Sequence, residues 1–184
     1  MHPAPFRQLL LAGLVLGAPA LATSMLSTDV EGLTRSSDAV VRGEVRRVES
    51  RWNWDHTRIV TDVEISVVES LKGAPGATVV VTQPGGQVGD IGQRVSGLAV
   101  FSPREEVVVF LKRRTPTRFQ VSGMAQGKFK VERASDGKSV LAVPSSTGDA
   151  QLLDPATRAP TASRLKPLEL GVLRAQVRAV RQER

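Results

Sequence analysis

The chain has no cysteine and no tyrosine in 184 residues, only two histidines, and aromatic residues at 4%. Without cysteine there can be no disulfide, no thiolate metal site and no lipid-modified N-terminus. His2 lies in a stretch that reads as a removable export signal, so His56 is the one histidine expected in the mature protein. In that stretch Arg7 gives a positive flank, residues 9–16 a short apolar run, and Ala20-Leu21-Ala22 a small-x-small cleavage site. The run is too short to span a bilayer, which takes about 20 apolar residues. No later segment is longer. The expectation is an exported protein, periplasmic or extracellular, cleaved after Ala22, with no transmembrane segment. It is not a lipoprotein, and its hydrophobic core alone must hold it together.

A basic folded body is also lacking. The formal net charge is +7, but between residues 158 and 184 seven basic residues face only Glu169 and Glu183. The body is nearly neutral. A nucleic-acid-binding domain carries its basic stripe on the folded face, with aromatic residues interleaved along the strands. An OB-type nucleic-acid binder is therefore the weakest alternative, and no nucleic-acid partner is expected.

What is present is β-structure. Ile59, Thr61, Val63, Ile65 and Val67 alternate with more polar neighbours, as in a half-buried antiparallel strand. Residues 39–49 read as a strand with a bulge near Arg46-Arg47 and a bend at Gly43. Residues 78–82 add a third strand to a meander. Residues 107–111 are five apolar residues in a row, a strand covered on both faces. Short strands are expected over residues 119–124 and 128–132, and Asp136-Gly137 marks a hairpin. A capping box at Thr28 predicts a short helix, and Pro167 opens a last one, with Leu170, Leu173, Val177 and Val180 along one stripe. The fold class expected is all-β: a small antiparallel OB-like barrel, or alternatively a β-sandwich, with one short N-terminal and one C-terminal helix. The divisions are residues 1–22 (signal), 23–145 (barrel), 146–166 (linker) and 167–184 (basic amphipathic helix).

No catalytic constellation stands out. Gly86-x-x-Gly89-x-x-Gly92 has the wrong spacing for a dinucleotide fingerprint, and no helix is expected after it. It reads as a long inter-strand loop, with Asp90 and Arg94 as polar contacts if it binds a partner. Ser135-x-x-Lys138 imitates a nucleophile motif but sits in the expected hairpin turn. His56 lacks companions for a metal site or a triad. No catalytic residue, cofactor or metal is expected. A carboxylate-dependent hydrolase of the cell envelope remains the enzymatic alternative.

Trp52 and Trp54 stand two apart in the turn over residues 50–56. They form either an aromatic platform for a glycan or peptide, or a plug at the barrel end. Arg174, Arg178 and Arg181 flank the apolar stripe of the last helix. Such a helix either docks on its own domain or makes peripheral contact with an anionic membrane surface.

The order Ser37–Val45 (SDAVVRGEV), TRIVTDV, ESLKG, QPGGQVG, VSG, EVVVFL and QGKFKV resembles a group of exported bacterial proteins without an assigned function, over residues 37–131. More distantly it is similar to OB barrels of the netrin and tissue-inhibitor-of-metalloproteinase type. The resemblance implies the barrel. It does not carry over the inhibitors' mechanism, which needs an N-terminal cysteine. The function expected is a non-catalytic binding or accessory domain. It would contact a protein or cell-envelope polymer through Trp52, Trp54, His56, Asp90 and Arg94.

Overall fold

The computed structural model describes residues 23–182 except Asp136, with backbone only at residues 181 and 182. The expected signal segment, residues 1–22, lies outside the described residues, as does the side chain of Arg181.

Strand β1 (Ser24–Leu26) precedes helix α1 (Val30–Ser36), and the meander follows as β2 (Ala39–Trp52), β3 (Ile59–Lys72) and β4 (Thr78–Pro84). A small hairpin, β5 (Gly86–Val88) and β6 (Ile91–Gln93), precedes β7 (Glu106–Arg113) and β8 (Arg118–Val121). A 3-10 turn at Met124–Gly127 leads to β9 (Lys128–Arg133), β10 (Val140–Pro144) and β11 (Gln151–Leu153). The chain closes with β12 (Leu168–Glu169) and helix α2 (Leu170–Gln182).

Five strands form a closed ring: β7 pairs with β2, β2 with β3, β3 with β4, β4 with β8, and β8 with β7. This is the all-β, OB-like barrel. It is not wholly antiparallel, because an odd number of strands cannot alternate direction around a closed ring. The one parallel seam is β4–β8, through Val80 with Arg118 and Val81 with Phe119. The bend and bulge fall where the sequence places them. The β2–β3 register shifts between Val45 and Arg47 and again beside Gly43. A Cβ on Gly43 would overlap the Ser66 carbonyl oxygen, so only glycine lets β3 pass this closely.

The apolar run on β7 has two destinations. Val107, Val109 and Leu111 point into the barrel with Val41, Val45, Val63, Ile65, Val81 and Phe119. Val108 and Phe110 point outward, onto Val40, Leu71, Phe129 and the helices. The outer edge of β7 is shared between β9 at Val107–Val109 and β8 at Leu111–Arg113. The sheet forks there, and β9, β10 and β12 form a leaf that closes over the second core.

Three expectations need correcting. The residue capping α1 is Asp29, not Thr28. Its carboxylate accepts from the Gly32 N–H at 2.8 Å, whereas the Thr28 hydroxyl turns to the Asp29 carbonyl. The last helix starts at Leu170 rather than at Pro167, because Leu168 and Glu169 pair with β10. The segment expected as linker contains β11, which pairs in parallel with β1, and the buried Leu165. Asp29→Ala is expected to cost about 1 kcal/mol. Urea denaturation should show the loss as a lower midpoint with an unchanged slope.

Helix α2 is docked. Leu170, Leu173, Val177 and Val180 are buried. Glu69 on β3 receives Arg174 at 2.6 Å and Arg178 at 3.3 Å. No described helix is long and apolar enough to cross a membrane.

Candidate functional site

The β2–β3 pair continues past the barrel as a hairpin, and its turn is built by its own side chains. The Asn53 Oδ1 accepts from the Thr57 and Arg58 amides at 2.9 and 3.0 Å. The Asp55 carboxylate accepts from the Thr57 hydroxyl at 2.6 Å and also from the Thr57 amide. These bonds hold its pKa below the usual carboxylate value, the hydroxyl contributing most. Trp52 ends the strand, half-buried, its ring stacked on His56 with centroids 6.4 Å apart. Trp54 belongs to the turn and is 91% exposed. The strand stops between the two tryptophans, so they do not share a face.

The glycine-spaced segment is a hairpin laid across the inner face of these strands. The Gly85 amide donates to the Ile59 carbonyl at 2.8 Å, and the Ile59 amide donates to Gln93 Oε1 at 3.0 Å. The Ser50 and Thr61 hydroxyls lie 2.9 Å apart, and Thr61 also donates to the Gly85 carbonyl at 2.7 Å. Gly86 crosses directly over that pair with φ of 126°, and a Cβ there would overlap both hydroxyls. The glycine is required by backbone conformation and by close approach together.

Beyond the hairpin the chain runs back over residues 94–105 and bounds a groove of about 700 Å³. One side carries Gly92, Gln93 and Arg94, and the other Ser146, Thr147, Gly148 and Asp149. Val48, Ser50 and Thr61 belong to its barrel side. Arg94 and Asp149 approach to 3.8 Å, and the Ser96 hydroxyl donates to Asp149 at 3.1 Å. Asp90 lies exposed in the hairpin turn. Of the expected contact residues, Arg94 lines the groove, Asp90 caps the adjacent hairpin, and Trp52, Trp54 and His56 form the tip beyond Ser50.

Two contributors were invisible in the sequence. Residues 146–149 read as linker, yet they make the second wall. Lys128 opens a segment expected only as a short strand, yet its side chain is 4% exposed. Its ammonium donates to Glu105 Oε1 at 2.6 Å and to the Val100 carbonyl at 2.5 Å, and sits 4.9 Å from the centre of the Phe101 ring. This ion pair pins the 98–101 stretch that lines the groove.

The other charge cluster lies on the outer barrel wall. Asp62 accepts from Arg51 at 3.0 Å, Thr82 at 2.6 Å and Arg118 at 2.7 Å. Burial pushes its carboxyl up, and these three donors more than offset that, leaving its pKa below the ordinary value. Ser135 and Lys138 flank a hairpin turn in which the Gly137 amide donates to the Ala134 carbonyl. Among the described residues no three His, Asp or Glu side chains gather as metal ligands. Neither a family model nor a curated relative matches the chain.

Proposed function

We propose that this chain is an exported, non-catalytic binding or accessory domain that grips a protein or cell-envelope polymer through loops at one end of its barrel. The observation that carries the reading is convergence. The β5–β6 hairpin, the 94–101 stretch and the 146–149 loop, far apart in sequence, meet around one groove of about 700 Å³, together with Val48, Ser50 and Thr61 of the β2–β3 pair. Concave sites of that size are where proteins take ligands. Trp54, in the turn at the far end of the same strand pair, is a large apolar surface that the described residues leave exposed.

The chemistry of the carboxylates favours binding over catalysis. A general acid needs a raised pKa. Asp62 is instead held ionised by two guanidinium groups and a hydroxyl. Glu105 is committed to Lys128.

The two tryptophans are the only ones in the chain, so fluorescence reports on this tip alone. Adding a fraction of bacterial cell envelope is expected to shift their emission. Trp52→Ala combined with Trp54→Ala is expected to weaken cosedimentation with that fraction at least tenfold. Unchanged cosedimentation would remove the tip from the binding surface.

A further inference from the structure

We infer that the groove receives an extended, uncharged peptide segment of another protein, added as a strand to the free edge of β6. This deepens the loop-binding reading above and rests on it.

The register of the small hairpin carries the inference. Val88 faces Ile91 across a two-residue turn, Gln87 faces Gly92, and Gly86 faces Gln93. Gly89, with φ of 56°, occupies the first central position of that turn, as in the type II′ turns that close tight hairpins. Bonded and non-bonded pairs alternate along an antiparallel ladder. The pair that flanks the turn, Val88–Ile91, is bonded, so Gln87–Gly92 is not. The N–H and C=O of Gly92 therefore point away from β5, and β6 pairs with no other described strand.

That edge borders the groove, because Gly92 and Gln93 line it. It is also unguarded. Natural sheet edges carry a lysine, a proline, a bulge or a cover. Strand β6 reads Ile-Gly-Gln, and all three of its residues are exposed. Gly92 itself carries no side chain to stand over an incoming strand. In the main sheet the edges are managed: the barrel closes on itself, and β12 passes straight into α2.

The lining selects the segment. Its only charged members, Arg94 and Asp149, face each other, so the groove offers no net charge to a ligand. Ile91 is 56% exposed and Val100 78% exposed, which gives apolar contacts to side chains of an added strand. Main-chain bonding with side-chain pockets is how strand addition obtains affinity and selectivity. A polysaccharide lacks the regularly spaced donors and acceptors that match a strand edge.

The test uses the full chain and a pool of blocked hexapeptides drawn from Ala, Val, Ile, Ser and Thr. At saturation, amide exchange of Gly92 is expected to slow at least tenfold. Ile91→Lys, which places a guarding charge on the edge and leaves the hairpin pairing intact, is expected to weaken binding at least tenfold. Gly92→Pro, which deletes the outward N–H, should do the same. The inference is overturned if Gly92 exchange is unaffected at saturation, or if both variants bind the pool like the parent. An N-acetylglucosamine tetramer that binds, with the peptide pool inert, would likewise overturn strand addition while leaving the loop-binding reading standing. Loss of the envelope-induced tryptophan shift would remove that reading as well.

Discussion

Glu105→Ala is expected to lower the unfolding free energy by about 3–5 kcal/mol at pH 7, the cost of removing one partner from a buried ion pair. Lys128 would remain inside the protein with the Val100 carbonyl as its nearest acceptor. The Ser102 amide would also lose its bond to Glu105 Oε2 at 3.1 Å. The pH dependence follows from the lysine. Burial pushes the Lys128 pKa down, the hydrogen bond and charge of Glu105 pull it back up, and the nearby Lys130 adds a small push down, leaving it below the ordinary lysine value. Below its folded-state pKa the amine is protonated in both states, and the burial cost is fully felt. Between that pKa and the ordinary lysine value the unfolded chain holds the extra proton, so stability rises with pH. Without Glu105 the folded-state pKa falls further and the window opens at lower pH. The deficit of Glu105→Ala should therefore shrink from pH 7 to pH 10 in urea denaturation. Combining Glu105→Leu with Lys128→Met should recover most of the loss, since a well-packed apolar pair avoids the uncompensated charge. A deficit below about 1 kcal/mol at pH 7 would mean that the pair does not hold the groove wall.

The strands of the ring were legible because their patterns are local. The alternation on β3 names its inward face, and that face is buried at Ile59, Thr61, Val63 and Ile65. The slip at Arg46 and the glycine at position 43 mark the irregularities that the ring needs. Elements defined by distant partners were not legible. β11 is three residues long and exists because β1 lies beside it, with the Gln151 amide bonded to the Thr23 carbonyl. Nothing near residue 151 encodes that pairing. The groove followed the same rule. Its glycine side was readable as a loop of unusual length, and its 146–149 side was not. Lys128 shows where alternation misleads. Phe129 and Val131 fill the outer core, so Lys128 ought to be wet like Lys130. It is buried because the 94–105 excursion folds over that face, a tertiary event invisible to a period of two.

Phe110→Ala is expected to cost about 3–5 kcal/mol, the range for emptying a large buried aromatic position. Phe110 is fully buried and packs on Phe129 with ring centroids 5.8 Å apart. It sits opposite Val40 on the outer face of the ring, under Leu33 of α1 and Leu173 and Val177 of α2. Its removal should loosen the outer layer first. Limited proteolysis should cut near residues 165–170 sooner than in the parent, while the tryptophan emission of the distant hairpin tip stays unchanged. A cost below about 1.5 kcal/mol would mean that the helices and the leaf drape over the ring without packing on it. The magnitude matters for the architecture. A five-stranded ring buries only its inward residues, and Val40, Leu71, Val108 and Phe110 face the other way. Left bare, they would form a continuous apolar patch of the kind that soluble domains avoid. α1, α2, β9 and β10 are the parts of the chain that cover it.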